Sequence, residues 1–405
     1  MINKERVRNT LKGILLALLV IAAILIMLIL YENTQPAFID TNPGNSDNNG
    51  STNVPPIEDP EQNGGGQEDD PDYIYDDSRE HLFYRGRLEL PVVGATGWAA
   101  STLVLRSEPR ASSDRIINLV PGDAFVIFEE SDNWWNVILP NEVSGWVEVN
   151  RCFINLPDVI PSIVYNISNA VSSEFRSSGF DLPGITQNNL YSAYSFNERL
   201  GRGEFIVPGS YALARALFAV QQIALSNGET LIVYEVFRPM ETQRAVASAL
   251  NRLMNRSDDL YNDVVYRAIT DSQFSVSNFI SQGRSNHQLG AAVDVTMGIV
   301  DEMEIIRSGD YSFHSVKFYS RVAEPSPMHE LSPLAVLPGR DSQAATGIYD
   351  GIWRMRSYFE QMGFRPIASE WWHFNHTTSV TSGSSAGIAG NFFTPSIYSI
   401  PPFLN

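Results

Sequence analysis

The sequence predicts a chain in three parts: one transmembrane helix, a small all-β barrel and an α+β domain. Three observations carry this reading. The run Ile14 to Leu30, ILLALLVIAAILIMLIL, has no charge and no helix breaker. Between Leu88 and Leu156, short apolar runs alternate with turn residues. Beyond Asn155, helical and strand periodicities succeed one another with long connections between them, the pattern of an α+β domain.

Composition sets the outer limits. At roughly 150 residues per domain, 405 residues suggest two or three domains. With 43% hydrophobic and 18% charged residues, the average is globular, which excludes wholesale disorder, collagen and a multi-span membrane protein. The net charge of -18, from 46 acidic and 28 basic side chains, argues against nucleic acid as a partner, because that needs a basic footprint. Cys152 is the one cysteine. No internal disulfide and no cysteine-rich zinc site is possible, so any metal site must be built from His, Asp and Glu.

The apolar run spans about 26 Å as a helix, close to the ~30 Å of bilayer hydrocarbon. Lys4, Arg6, Arg8 and Lys12 precede it, and acids dominate from Glu32 to Glu80. The positive-inside rule then puts the N-terminus in the cytoplasm and the rest outside. A cleaved signal peptide is the alternative, but it usually has a shorter apolar region and small residues at its cleavage site. Leu28, Ile29, Leu30 and Tyr31 stand there instead, so the run reads as an uncleaved anchor through the cytoplasmic membrane. This gives a basic tail over 1–12 and a membrane span over 13–31. From 32 to 87 Gly, Asn, Pro, Ser and acids dominate; such a stretch buries too little apolar surface to offset chain entropy and reads as a disordered linker.

Residues 88–154 form the β module. Leu103-Val104-Leu105, Ile116 to Val120, Ala124 to Phe128, Trp135 to Leu139 and Gly145-Trp146-Val147 are strand candidates. Pro121-Gly122-Asp123 and Ser131-Asp132-Asn133 mark turns between them. Five or six short strands in so few residues argue for a small barrel. Leu103 to Pro109, LVLRSEP, together with Gly122-Asp123, Trp134 to Val137 and Gly145-Trp146-Val147, resembles bacterial SH3-like domains. That resemblance implies binding to cell-wall peptide or glycan, although Trp134, Trp135 and Trp146 read first as barrel core.

In residues 155–405, Ser210 to Ser226 reads as a helix with Leu213, Leu217, Val220 and Ala224 on one face. Leu231 to Phe237 reads as a buried strand stopped by Arg238-Pro239, and Glu241 to Met254 as a second helix. Another helical pattern starts near Asp259. Gly290 to Met297 is the next strand, Gly347 to Met362 a further helix ended by Gly363, and Ala368 to Asn375 a last strand.

The chemistry concentrates in two segments. One is Ser285 to Asp294, SNHQLGAAVD. In the strand that follows Gly290, Ala292, Asp294 and Thr296 share one face, while Ala291, Val293 and Val295 point the other way. A carboxylate in so apolar a strand needs a strong partner, and a metal ion is a good candidate. The other segment is Glu370-Trp371-Trp372-His373-Phe374, with an imidazole three residues after a carboxylate.

These segments resemble the SxHxxGxAxD and ExxH motifs of the LAS metallopeptidases, the bacterial zinc D,D-peptidases, and match them at every fixed position. Within that group, Glu370 to His373 is similar to the EWWH of the D-alanyl-D-alanine dipeptidases of the vancomycin-resistance type. Tyr234 to Pro239 is similar to their WDGYRP, with Glu235, Val236 and Phe237 in place of Asp, Gly and Tyr. Leu156 to Pro161 and Asn188-Asn189-Leu190 resemble earlier segments. The resemblance spans roughly Asn155 to Asn375 and implies one Zn²⁺ on His287, Asp294 and His373, with a fourth position left for water. Glu370 would be the general acid–base and Arg238 the oxyanion stabiliser; a structural salt bridge is the plainer role for Arg238. Ser285 reads equally as a substrate contact or a turn cap, Gly290 as a backbone requirement, and His314, His329 and His376 as ordinary residues.

The implied function is hydrolysis of D-Ala-D-Ala-type bonds in peptidoglycan metabolism by an anchored, extracytoplasmic zinc peptidase. D,D-carboxypeptidase or L,D-endopeptidase action on intact stem peptides is the close alternative, and a noncatalytic wall-binding protein the alternative of another class. Because the motifs all lie beyond Asn155, the sequence also predicts that this part folds and acts without the barrel.

Overall fold

The computed structural model describes residues 88–256, 263–308, 311–339, 347–392 and 396–400. The expected tail, membrane helix and linker lie outside these residues. Among the described residues no helix is long and apolar enough to cross a membrane.

The β module forms from strands β1 (Thr96–Ala99), β2 (Leu103–Arg106), β3 (Arg115–Leu119), β4 (Ala124–Ser131), β5 (Trp134–Ile138), β6 (Ser144–Glu148) and β7 (Cys152–Asn155). Its turns fall where the sequence put them. Gly122 takes φ 97°, and Asp132, in the two-residue turn between β4 and β5, takes φ 50°, backbone that glycine and short polar residues adopt most readily. Alternation decides which tryptophan enters the core: Trp135 and Val137 point inward on β5, whereas Trp134 and, on β6, Trp146 are only half-buried.

A single helical turn at Leu156–Val159 leads into β8 (Val164–Tyr165). Two short hairpins follow, β9 (Arg176–Ser177) with β10 (Phe180–Asp181), then β11 (Tyr194–Asn197) with β12 (Arg202–Phe205), and after them β13 (Pro208–Ser210). Helix α1 (Tyr211–Ser226) starts where the Ser210 hydroxyl accepts the Leu213 N–H. Its predicted apolar face, Leu213, Leu217, Val220 and Ala224, is buried. The chain continues through β14 (Glu229–Glu235), α2 (Met240–Met254), α3 (Asp263–Asp271), β15 (Ala292–Ser308), β16 (Tyr311–Arg321), α4 (Asp350–Gln361), β17 (Phe364–Pro366), β18 (His373–His376) and α5 (Thr377–Ser385). The predicted last strand begins later than expected, at His373, because Trp371 and Trp372 occupy the turn before it.

Two sheets organise these elements. One runs β17-β18-β15-β14-β8, with β16 paired to the long β15. The other runs β13-β7-β1-β4-β5-β6-β2-β3. The barrel sheet therefore takes in β13, a strand from the α+β part. Ile154 on β7 faces Gly97 on one side and Gly209 on the other, so the expected boundary between Ile154 and Asn155 runs through a strand paired on both edges.

The expectation of an independent α+β part gives way to a shared core, and the reason is physical. Phe153, fully buried, packs 5.4 Å from the Phe237 ring. Asp158, also fully buried, accepts the Thr96 N–H at 2.8 Å, the Asn197 amide at 2.6 Å and the Asn155 amide at 2.9 Å, as well as the Ser399 hydroxyl. Ile400 N–H bonds the Gly94 carbonyl at 3.0 Å. One buried carboxylate thus joins the barrel, the hairpin region and the C-terminal strap.

Two outcomes follow. A chain beginning at Asn155 loses β1 and Phe153 from its core and should lack cooperative unfolding, tested by near-ultraviolet circular dichroism during a thermal ramp; a sharp transition like that of residues 88–405 would refute this. The second concerns Glu89, buried, with one carboxylate oxygen on the Ser162 N–H at 3.0 Å. Burial raises its pKa from 4.5 to about 7 against the pull of that hydrogen bond. Between these values the unfolded chain has released the proton and the folded chain still holds it, so stability falls as pH rises from 4.5 to 7. Glu89→Gln should therefore raise the melting temperature more at pH 8 than at pH 4; an equal shift at both would contradict the assignment.

Candidate metal centre

The loop before β15 fixes the first imidazole. Ser285 caps a short helical turn: its hydroxyl accepts the His287 N–H, and the Gln288 side chain returns to the Ser285 N–H at 2.6 Å. Gly290 ends the turn in left-handed backbone, φ 57°, where a Cβ would lie 2.7 Å from the Phe153 ring. Glycine is required there both by conformation and by the barrel residue packed against it. Gln288 also donates to the Arg238 carbonyl at 2.7 Å, tying this loop to the end of β14.

Cross-strand register then lines up the remaining groups. Asp294 on β15 faces Glu235 on β14 and His373 on β18. Directly opposed residues have Cβ atoms about 5 Å apart, so three adjacent strands deliver these side chains to one place. His287 Nε2 and His373 Nδ1 are 3.2 Å apart, and they lie 3.3 Å and 2.9 Å from Asp294 Oδ1. Donors on a tetrahedral zinc at ~2.0–2.1 Å stand about 3.3 Å from one another. His287, Asp294 and His373 therefore fit a single divalent ion.

The outer hydrogen bonds set the tautomers. His287 Nδ1 lies 2.9 Å from the Val236 carbonyl, which can only accept, so Nδ1 carries the hydrogen and Nε2 presents its lone pair. His373 Nε2 lies 3.0 Å from Asn375 Oδ1, and that oxygen also accepts the Asn286 amide at 2.8 Å. His373 thus offers Nδ1 to the centre. Such partners orient ligands and raise their basicity. Burial lowers the His287 pKa, which favours its neutral form. Burial would push the Asp294 carboxyl up, but His287, His329 and His373 hold it well below its ordinary value.

Arg238 and Glu370 flank this set. The Arg238 guanidinium donates to Glu235 at 2.5 Å, to Gln243 Oε1 at 2.9 Å and to Asp294 Oδ2 at 2.9 Å. Burial works against its charge, and Glu235 and Asp294 more than offset it. Glu370 is buried, with an oxygen 3.9 Å from His373 Nδ1. Burial raises its pKa to about 7, against the opposing pull of His373, the range a group needs to take and return a proton near neutrality.

The structure brings every one of the predicted site residues, His287, Asp294, His373, Glu370 and Arg238, to one cavity of about 310 Å³. It adds Gln243, Asn375 and His329. Asn375 had a signal, since it follows His373 by two on one strand and shares its face. His329 had none nearby. Its Nε2 reaches Asp294 Oδ2 at 3.2 Å. Glu235, Asp294 and His329 form a second convergent group, but the Arg238 guanidinium already bonds both carboxylates, so a cation is in place there. His376 lies outside the cavity, 2.7 Å from the Ser379 hydroxyl and against the Phe364 ring.

Residues 101–151 match the family model of the bacterial SH3 domain. Over 172 residues, 42% of this chain, the sequence is 24% identical to a D-alanyl-D-alanine dipeptidase of Enterococcus faecium and covers 72% of that protein. The chain is distantly similar to a peptidase.

Removing an outer partner should loosen the metal without removing a ligand. Asn375→Leu should weaken zinc binding by about 10–100-fold, read by competition with a chromophoric chelator, while His373→Ala should lose the ion. Unchanged affinity in Asn375→Leu would show that the His373 ring needs no such support.

Proposed function

We infer that the protein is a zinc-dependent peptidase of the D-alanyl-D-alanine dipeptidase type, acting in peptidoglycan metabolism. The observation that carries this is the meeting of His287, Asp294 and His373 with Glu370 and Arg238 around one cavity. The distant dipeptidase relative supports the substrate class. The uncharged run Ile14 to Leu30, with basic residues before it and acids after, supports a single-pass anchor with the cavity outside the cytoplasmic membrane.

Zinc, when bound, polarises the scissile carbonyl and acidifies a water molecule toward neutral pH. The remaining work belongs to the chain. Glu370 takes a proton from the attacking water on its carboxylate and delivers it to the nitrogen of the departing D-alanine. Its raised pKa suits both transfers. Arg238 stays charged through Glu235 and Asp294, and its guanidinium stabilises negative charge developing on the carbonyl oxygen. Asp294 divides its oxygens, Oδ1 toward the imidazoles of His287 and His373 and Oδ2 toward Arg238 and His329. The intact stem peptide is the second substrate to offer, because a protein tethered outside meets stem peptides directly.

Purified protein should hold about one zinc per chain, lose D-Ala-D-Ala hydrolysis on chelation and regain it with zinc. Glu370→Ala should keep zinc and lose about 10²–10⁴ in kcat. Zinc-loaded protein that leaves both D-Ala-D-Ala and a pentapeptide stem uncut would mark it as a noncatalytic wall-binding protein instead.

A further inference from the structure

Two of the three metal donors are placed by strand pairing, since Asp294 on β15 faces His373 on β18. His287 is not on a strand. It lies in the short turn Asn286–Leu289, so contacts from outside that turn must seat it. One support is Phe153 of the barrel, against Gly290. A second is the strap that follows α5, residues 386–392. Arg284 Nη1 donates to the Ile388 carbonyl at 3.0 Å, and the Gly390 carbonyl accepts the Met240 N–H at 3.1 Å. Phe392 stacks on Phe237 with ring centroids 5.2 Å apart. The strap therefore holds both the loop that carries His287 and the turn that carries Arg238.

Gly390 is where the strap comes closest. It is buried, and its backbone is left-handed at φ 67°. A Cβ there would lie 2.3 Å from Gln288 Cβ, 2.5 Å from its Cγ and 3.0 Å from its Cα, whereas carbon atoms in contact settle at about 3.5–4.0 Å. Gln288 cannot swing aside. Its amide oxygen accepts the Ser285 N–H at 2.6 Å and its amide nitrogen donates to the Arg238 carbonyl at 2.7 Å. The strap cannot retreat without giving up its bonds to Met240 and Arg284. A methyl group at position 390 must then shift the turn itself, and His287 is the residue next to Gln288.

We propose that Gly390 is a positioning residue of the metal centre. Its missing side chain lets the C-terminal strap seat the His287 turn where the imidazole can share one ion with Asp294 and His373. This rests on the zinc reading above. Functional side chains must be held within about 0.5 Å of their productive place, and the displacement that a methyl group at position 390 demands is larger than that. Metal affinity thus depends on a glycine that lies outside both metal motifs.

Gly387, on the same strap, supplies the control. Its backbone is also left-handed, at φ 71°, but nothing lies within 4 Å of a Cβ built there. Gly387→Ala and Gly390→Ala share the strain of a left-handed alanine; only Gly390→Ala meets Gln288. The full chain is prepared metal-free and its melting temperature recorded. Zinc affinity is then measured by chelator competition at a temperature where every variant is folded. Both variants should melt lower than the unaltered chain. Gly390→Ala should bind zinc about 10–100-fold more weakly, the range for a disturbed outer support, and Co²⁺ bound in its place should give a changed visible spectrum. Gly387→Ala should match the unaltered chain in both respects. Unchanged zinc affinity in Gly390→Ala, or an equal loss in both variants, would overturn the proposal. If Gly390→Ala does not fold, Arg284→Met carries the test by removing the strap's bond at Ile388. Arg284 lines the cavity, and deleting a positive charge beside a cation would by itself tighten binding. Zinc binding several-fold weaker in Arg284→Met would therefore identify the lost bond, and unchanged or tighter binding would overturn the proposal. A chain that holds zinc in this pattern yet cuts no peptide ends the peptidase reading and leaves the role of Gly390 standing; a chain that holds no zinc overturns both.

Discussion

The centre of this protein depends on keeping one buried carboxylate charged. Asp294 is 1% exposed, and an ionised group so placed costs several kcal/mol unless partners replace its water. Each partner brings a debt of its own. Arg238 neutralises Asp294 but is itself buried, so it needs Glu235 and Gln243. Glu235, fully buried in turn, needs the Asn169 amide and the Tyr191 hydroxyl. The sequence of compensations runs outward from β15 through β14 to the loops before β11 until every charge has a donor or a counter-charge. Truncating one member leaves a buried charge uncompensated, so this network is coupled and its parts do not act additively.

Much of the centre was legible in the sequence because its residues sit at fixed spacings on regular elements. His287 lies in, and Asp294 follows, a turn whose capping serine and left-handed glycine are themselves readable signals, and Glu370 and His373 flank the turn into β18. Helix α1 was legible from its apolar stripe of Leu213, Leu217, Val220 and Ala224. His329 was not, because nothing in the sequence around it announces that a loop returns between Phe175 and Trp372. A residue brought in by tertiary packing leaves no periodic trace. Val236 had no readable role for a related reason: its side chain departs from the family pattern, whereas its carbonyl is what orients His287.

The boundary expected between Ile154 and Asn155 lies inside β7. Strand β7 was not among the runs read as strands, and the fully buried pattern of Cys152 to Asn155 fits either a barrel strand or a strand shared by two parts. Alternation reports that a strand is half-buried or wholly buried; it does not report which neighbour covers it. The bacterial SH3 match ends at residue 151, and the very next residues carry the junction. Phe153 shows what this means for the centre, since it packs on Phe237 and closes against Gly290 behind the His287 turn. The barrel is part of the wall on which the metal loop rests.

A strand paired on both edges also bears on how such a chain is inherited. Separating the barrel from the α+β part between Ile154 and Asn155 would strip the β7 partners from Pro208–Ser210 in one fragment and leave the outer edge of Cys152–Ile154 unpaired in the other. Each fragment would then present a bare sheet edge beside freshly exposed aromatic surface, which invites edge-to-edge aggregation. Gene rearrangement can trade modules that meet through a linker, because both products stay soluble. Here a recombinant that borrowed only one part would be removed by its own insolubility, so the two parts are constrained to travel through evolution together.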